Sequence, residues 1–193
     1  SKKHSKFKHN WDKGWHVFVA DFDAGALAKW QGHPQVSTLQ VDVTDNKSVA
    51  KAAAYVGQVT TELDAVINFA GIMAVGSLVE MPPETIARIL NVNVMGTVHV
   101  NQAFFPLIKR TGKRATSGRI VNISSETGWE TTAPFNGPYS MSKFAIEAYT
   151  NALRRELPAL EWHEAPRATR GQLLRAHAPD LLDAVLETHP AQR

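Results

Sequence analysis

Four short apolar runs, separated by longer amphipathic stretches, constrain this chain more than any other feature. Trp15-His16-Val17-Phe18-Val19-Ala20 is nearly continuous and ends at Asp21; residues 36–43, 65–70 and 119–124 follow in the same style. Runs this short and this apolar read as strands buried on both faces. The stretches at about 47–62, 84–109 and 139–157 read as helices. Pro82-Pro83-Glu84 supports the second of these, with proline at the helix start and an acid in its first turn. Alternation of strand and helix implies right-handed βαβ crossovers, hence an α/β fold with a doubly wound parallel sheet. Ligands of such sheets bind beyond the carboxyl ends of the strands. Asp21, Asp42, Asn68 to Gly71 and Ser124 to Gly128 therefore become the positions of interest.

The chain has 193 residues, enough for one domain with a sizeable core. With 44% hydrophobic and 20% charged residues it lies far from the composition of disordered chains. The formal net charge is +3, and much of the excess sits in Lys2, Lys3, Lys6, Lys8 and Lys13. One short basic run without a reading element supplies only non-specific attraction, so no nucleic-acid partner is expected. Cysteine is absent, which removes disulfides, thiolate nucleophiles and cysteine metal sites. The eight histidines have no metal-ligand spacing, and no metal is expected. No apolar run approaches the ~20 residues of a membrane span, and the first residues lack a signal-peptide core, so a cytoplasmic location is the default expectation.

Tyr139-Ser140-Met141-Ser142-Lys143 is the strongest local signal. On a helix, positions i and i+4 share a face, so the phenol of Tyr139 and the ammonium of Lys143 can point into one cleft. Tyrosine is a poor base at neutral pH, and a neighbouring cation favours its ionised form. A hydroxyl from Ser125, at the end of the preceding strand, can hold a substrate oxygen beside the phenol. Gly71-Ile72-Met73-Ala74-Val75-Gly76-Ser77 has the glycine spacing of a phosphate loop but lacks its lysine.

Asn68-Phe69-Ala70-Gly71, Asn91-Val92-Asn93-Val94-Met95-Gly96 and Gly118-Arg119-Ile120-Val121-Asn122-Ile123-Ser124-Ser125 precede the tyrosine motif. In this order the segments resemble the short-chain dehydrogenase/reductase family over about residues 14–157. The resemblance implies a Rossmann-like fold and a catalytic set of Asn93, Ser125, Tyr139 and Lys143. Asn93 would interrupt regular helical bonding and hold a water behind the lysine. Ser125 stands three residues before Gly128, as the family's serine usually does, with Ser124 as its rival. The implied cofactor is NAD. Asp21, with Asp23 as rival, would accept from the adenosine ribose hydroxyls and repel a 2′-phosphate. Asp42 and Val43 would meet the adenine, while Asn68, Ala70 and Gly71 would support the sheet and let the cofactor approach. Tyr139 and Lys143 complete the cofactor contacts. Leu153-Arg154-Arg155-Glu156-Leu157 resembles the retinol, hydroxysteroid and hydroxybutyrate dehydrogenase branch. The implied substrate is a secondary alcohol or ketone, lipophilic or small. The family's long helices imply a homo-dimer or homo-tetramer.

Two features depart from the family. Its opening strand and Thr-Gly-x-x-x-Gly-x-Gly turn have no counterpart, because residues 1–13 hold only Phe7 and Trp11 as large apolar side chains. Its late strand ending in Pro-Gly is also absent, and the sequence passes instead into a helical tail at about 172–188. The expected organisation is a basic segment at 1–13, a core at 14–160 and a helical segment at 161–193. The sheet would lack its first, central strand, leaving buried backbone groups unpaired at ~1–3 kcal/mol each. The sequence is therefore expected to join pieces of a longer protein, with discontinuities near residues 10–15 and within 157–171. Two rival readings are an inactive scaffold of the same fold and a nucleotide-sugar epimerase or dehydratase, which shares Tyr-x-x-x-Lys.

Overall fold

The computed structural model describes residues 14–108, 118–128 and 134–157. Apart from Gly14 and Trp15, every described residue belongs to one compact unit, His16–Glu161. The basic segment at 1–13, the tail helix at 172–188 and the discontinuity expected within 157–171 fall outside the described residues, apart from Leu157 itself.

Strand β1 (Val17–Asp21) pairs in parallel with β2 (Val36–Gln40), joined by the short helix α1 (Ala24–Ala28). Asp23 caps α1, accepting from Gly25 N at 2.8 Å. Asp45 caps helix α2 (Asn46–Val59) in the same way, through Lys47 N at 2.9 Å. Each cap satisfies a backbone donor that the first helical turn leaves open. On α2, Val49, Ala52 and Val56 recur at helical spacing and are buried. Val49 and Ala52 form the core with Val41, packed against Leu39, Val43, Val100, Ala103 and Phe104. Full burial of a valine side chain stabilises by ~1.5–3 kcal/mol, so this seam is a principal tie in the unit.

Strand β3 (Ala65–Asn68) pairs in parallel with β4 (Arg119–Asn122). Between them run α3 (Pro83–Leu90), a π-helical turn (Asn91–Met95) and α4 (Gly96–Ile108). A 3-10 turn (Glu126–Gly128) follows β4 and leads towards α5 (Gly137–Glu156). Helix α4 packs on α2, β3 and β4, so one helix links the two strand pairs.

The structure refines the sequence expectation in three places. Among the described residues the strands form two separate two-stranded sheets, with no bonding between β1 and β3. Burial on both faces is accordingly incomplete, and Ile67 and Val121 keep 41% and 38% of their surface. Strand β2 ends at Gln40, because Asp42 turns back on itself: its carboxylate accepts from Thr44 N and Thr44 Oγ1 at 2.9 and 2.7 Å. The helix expected at 84–109 begins at Pro83 and is interrupted by the π-helical turn.

Candidate active site

Helix α5 opens after Phe135, a non-glycine residue at φ 62°. Pro138 sits in the first turn, where its missing donor costs nothing. Tyr139 and Lys143 follow one turn apart, with Nζ 5.4 Å from the tyrosine ring centroid. The Lys143 ammonium is buried and donates to the carbonyl of Ile123, just past β4, at 2.6 Å. Burial holds its pKa below the ordinary lysine value, because removal from water disfavours the charged form.

The loop after β4 lies directly on this helix. A Cβ on Gly128 would stand 2.9 Å from Lys143 Cβ and 3.1 Å from Ser124 Oγ, so only glycine permits the approach. Ser125 Oγ accepts from Thr127 Oγ1 at 3.2 Å and from Thr127 N at 3.4 Å. Ser124 Oγ is buried and has no partner among the described residues. Both serines thus stand at the mouth of β4 beside the lysine, one engaged locally and one without a bond.

Asn93 lies inside the π-helical turn, where Gly96 N donates five residues back to Asn91 O. Its side chain forms a two-bond clamp: Oδ1 accepts from Ile72 N at 2.8 Å and Nδ2 donates to Ile72 O at 2.9 Å. The same Nδ2 donates to Ser142 Oγ at 2.9 Å, while Thr97 Oγ1 donates to the Asn93 carbonyl at 2.9 Å. Asn68 turns into a second polar network. Its Nδ2 donates to Asn101 Oδ1 at 2.8 Å and Asn122 Oδ1 at 2.9 Å, and Asn122 Nδ2 donates to Thr150 Oγ1 at 2.9 Å. Asn101 Nδ2 also reaches the Tyr149 hydroxyl, whose pKa is raised chiefly by burial. Thr97 and Asn101 had no part in the sequence reading, and Asn122 and Ser142 entered it only within motif segments, without a role of their own. Their only signal was small polar residues on otherwise apolar faces.

Asp21 ends β1 and accepts from Asp23 N at 3.0 Å. Its rival Asp23 accepts from Gly25 N at 2.8 Å as the α1 cap, so each carboxylate has one oxygen engaged by a backbone N–H. Asp42 is occupied by Thr44, and Val43 presents its carbonyl to His99 Nδ1 at 2.9 Å. Val43 also packs so tightly on α4 that a Cβ at Gly96 would meet its Cγ2 at 2.6 Å. Ala70 and Gly71 are exposed beyond β3, where a Cβ on Gly71 would make only ordinary contact with Asn93 Oδ1 at 3.6 Å. Asn93 is thus tied to α5 through Ser142, and Lys143 and Ser124 meet at the Gly128 loop. Asp21, Asp42 and Val43 sit at the ends of the β1–β2 pair. Among the described residues no cluster of His, Asp or Glu could hold a metal.

The family model for short chain dehydrogenase matches residues 8–161. The chain belongs to the short-chain dehydrogenase family. It is 39% identical over 118 residues to human 17-beta-hydroxysteroid dehydrogenase type 1, covering 61% of this chain and 34% of that protein. The 3-ketoacyl-(acyl-carrier-protein) reductase from Brucella melitensis, solved with NADH, superposes with a TM-score of 0.74 at 25% identity, covering 82% of this short-chain dehydrogenase and 66% of the other. ElxO with NADP bound gives 0.67 at 25% identity, over 76% and 60% of the two chains. The chain spans less than half the length of the curated relatives it matches first. The doubly wound α/β fold follows from this membership, and the Brucella melitensis neighbour was solved with a nicotinamide cofactor, NADH.

The residues present fit part of such a cofactor. Asp21 can accept from ribose hydroxyls, Lys143 supplies a buried cation, and Ser124 Oγ is a buried group without a bond. The described residues include no Gly-x-x-x-Gly-x-Gly turn for a pyrophosphate.

Proposed function

We propose that this short-chain dehydrogenase moves hydride between NAD(H) and a secondary alcohol or its ketone, with Tyr139 as the acid–base group. The carrying observation is the pairing of Tyr139 with a buried Lys143 on one face of α5, beside the end of β4. In the oxidative direction the hydroxyl proton of the substrate passes to the Tyr139 phenolate oxygen. The carbinol carbon then loses hydrogen with its electron pair and becomes a carbonyl; reduction retraces the path. The nicotinamide supplies the hydride acceptor or donor. Ser125 holds the substrate oxygen by its hydroxyl, Lys143 sets a cation beside the tyrosine ring, and Asn93 fixes the loop after β3 against the tyrosine helix.

Asp21 supports NAD over NADP, because a 2′-phosphate set against a carboxylate is repelled. Among the similar solved structures ElxO holds NADP and the Brucella melitensis reductase holds NADH. A lipophilic substrate is supported by the apolar surface beside the start of α5. Gly76 N donates to Phe135 O at 2.8 Å, tying the loop after β3 to the segment before Tyr139, and Val75 and Phe135 stand 70% and 62% exposed there. Met141 and Phe144, exposed on α5, support pairing with a second copy. An inactive scaffold is the second reading, favoured by the glycine turn's absence among the described residues.

The test is Tyr139→Phe in the full chain. Turnover should fall by at least ~10²-fold with unchanged circular dichroism, since positioned acid–base groups contribute ~10²–10⁴. Retained turnover would remove Tyr139 from the chemistry. No turnover by the parent protein with either nucleotide, across hydroxysteroids, retinoids and small hydroxy acids, would favour the scaffold.

A further inference from the structure

Ser142 stands between Tyr139 and Lys143 in sequence, yet the chemistry proposed above gives it no part. It is fully buried, and its hydroxyl is engaged on both sides. The hydrogen is donated to the Tyr139 carbonyl at 2.6 Å, and a lone pair accepts from Asn93 Nδ2 at 2.9 Å. A helical serine commonly bonds back to its own helix, but here one of the hydroxyl's lone pairs is also engaged by a side chain 49 residues away.

The bonds continue beyond Asn93. Its amide group pairs with both the N–H and the carbonyl of Ile72, much as a neighbouring strand would. Ile72, Asn93, Ser142 and the Tyr139 carbonyl therefore form one connected series, with Asn93 and Ser142 both buried. It joins the loop after β3 to the residue that bears the phenol.

We infer that Ser142 is a positioning residue for Tyr139. Its hydroxyl locks the first turn of α5 against Asn93, so that the direction of the phenol and the seat of the Ile72 loop are set together. The inference rests on Tyr139 as the acid–base group. Packing alone does not account for the serine, because alanine would fill nearly the same space. The distinguishing property is the oxygen.

The full-length chain is compared with Ser142→Ala and Ser142→Thr. Ser142→Ala should fold with a Tm within about 4–8 °C of the parent, the shift that loss of two hydrogen bonds of about 1 kcal/mol each gives at this chain length. Its kcat should fall about 10-fold to 100-fold, because sub-ångström misplacement of a reacting group carries penalties of that order. The KM for nucleotide should stay within about twofold, since no group that holds the nucleotide has changed. Ser142→Thr, which keeps the hydroxyl, should recover most of the loss.

Amide hydrogen exchange supplies a readout that needs no turnover. In Ser142→Ala the Ile72 N–H should exchange about tenfold faster, as Asn93 loses one of its two acceptors, while the amides of Val49 and Val56 stay unchanged. Parental kcat in a folded Ser142→Ala would overturn the inference, as would equal losses in the alanine and threonine variants. Unchanged exchange at Ile72 would overturn it independently. If the parent protein and Tyr139→Phe are equally inert, the functional reading fails, and the exchange measurement alone decides whether Ser142 couples α5 to the Ile72 loop.

Discussion

Gly128→Ala is the substitution whose effect can be worked most directly from the geometry. The new Cβ would lie 2.9 Å from Lys143 Cβ, 3.1 Å from the Lys143 carbonyl carbon and 3.1 Å from Ser124 Oγ. Carbon atoms rest at about 3.5–4.0 Å, so the loop and α5 must separate by roughly 0.6 Å or more. Two of the three obstructing atoms belong to the backbone or Cβ of Lys143, which cannot rotate away. Inserting one methyl group into such a contact costs about 1–3 kcal/mol, or about 2–10 °C in Tm for a domain of this size. The larger effect falls on the chemistry, because the same movement separates the serines of the β4 loop from Tyr139 and Lys143. Displacements approaching 1 Å cost on the order of 10²-fold in rate. Steady-state turnover and thermal melts of the purified variant measure both quantities. A Gly128→Ala protein with parental kcat and Tm would show that the loop does not seat on α5 as described.

Four further outcomes are expected. Burial lowers the folded pKa of Lys143 below its ordinary 10.5, so the unfolded chain binds the proton more tightly. The resulting destabilisation is present below the folded pKa and is relieved as pH rises from that value to 10.5; Lys143→Met should flatten this rise in urea melts run up to pH 10. Above pH 10.0 the raised pKa of Tyr149 acts in the opposite sense, since the unfolded chain ionises first and stability is lost; Tyr149→Phe should remove that loss. Fluorescence titration should show tighter binding of NADH than NADPH, and Asp21→Ser should narrow the difference; equal affinities in the parent would remove Asp21 from the ribose. Sedimentation of the intact chain should report a dimer or tetramer, and Met141→Lys with Phe144→Lys should shift it towards monomer; a monomeric parent at micromolar concentration would contradict the pairing.

Some of this arrangement could be read from the residues alone, for identifiable reasons. Ala65 to Asn68 and Val17 to Asp21 are apolar runs too short for helices and are closed by polar residues, so local pattern suffices for β1 and β3. Tyr139 and Lys143 are placed by helical period, which is also local. Helix α1 escapes the pattern, because five residues with one buried leucine set no period. The end of β2 depends on one carboxylate folding back on Thr44, a choice that the apolar run 36–43 conceals. Ser142 and Asn101 read as ordinary helix positions. Their burial is decided by Asn93 and Asn68, partners 49 and 33 residues away, and no window along the chain contains both members.

The division of the strands into two pairs also sets an order of assembly. Residues of β1 and β2 that pair are separated by roughly 20 positions, whereas Asn68 and Asn122 lie 54 apart. Loop closure grows as about (3/2)RT ln n, so the second pair costs only about 1 kcal/mol more entropy than the first. What separates them is the template. The first pair needs only the short α1, which packs on both of its parallel strands, to complete a local βαβ crossover. The second waits for α4, whose contacts with both β3 and β4 hold the two strand segments at one surface. The half that holds the proposed catalytic residues therefore waits on the longer-range contacts, and its assembly runs through a helix interrupted at Asn91–Met95.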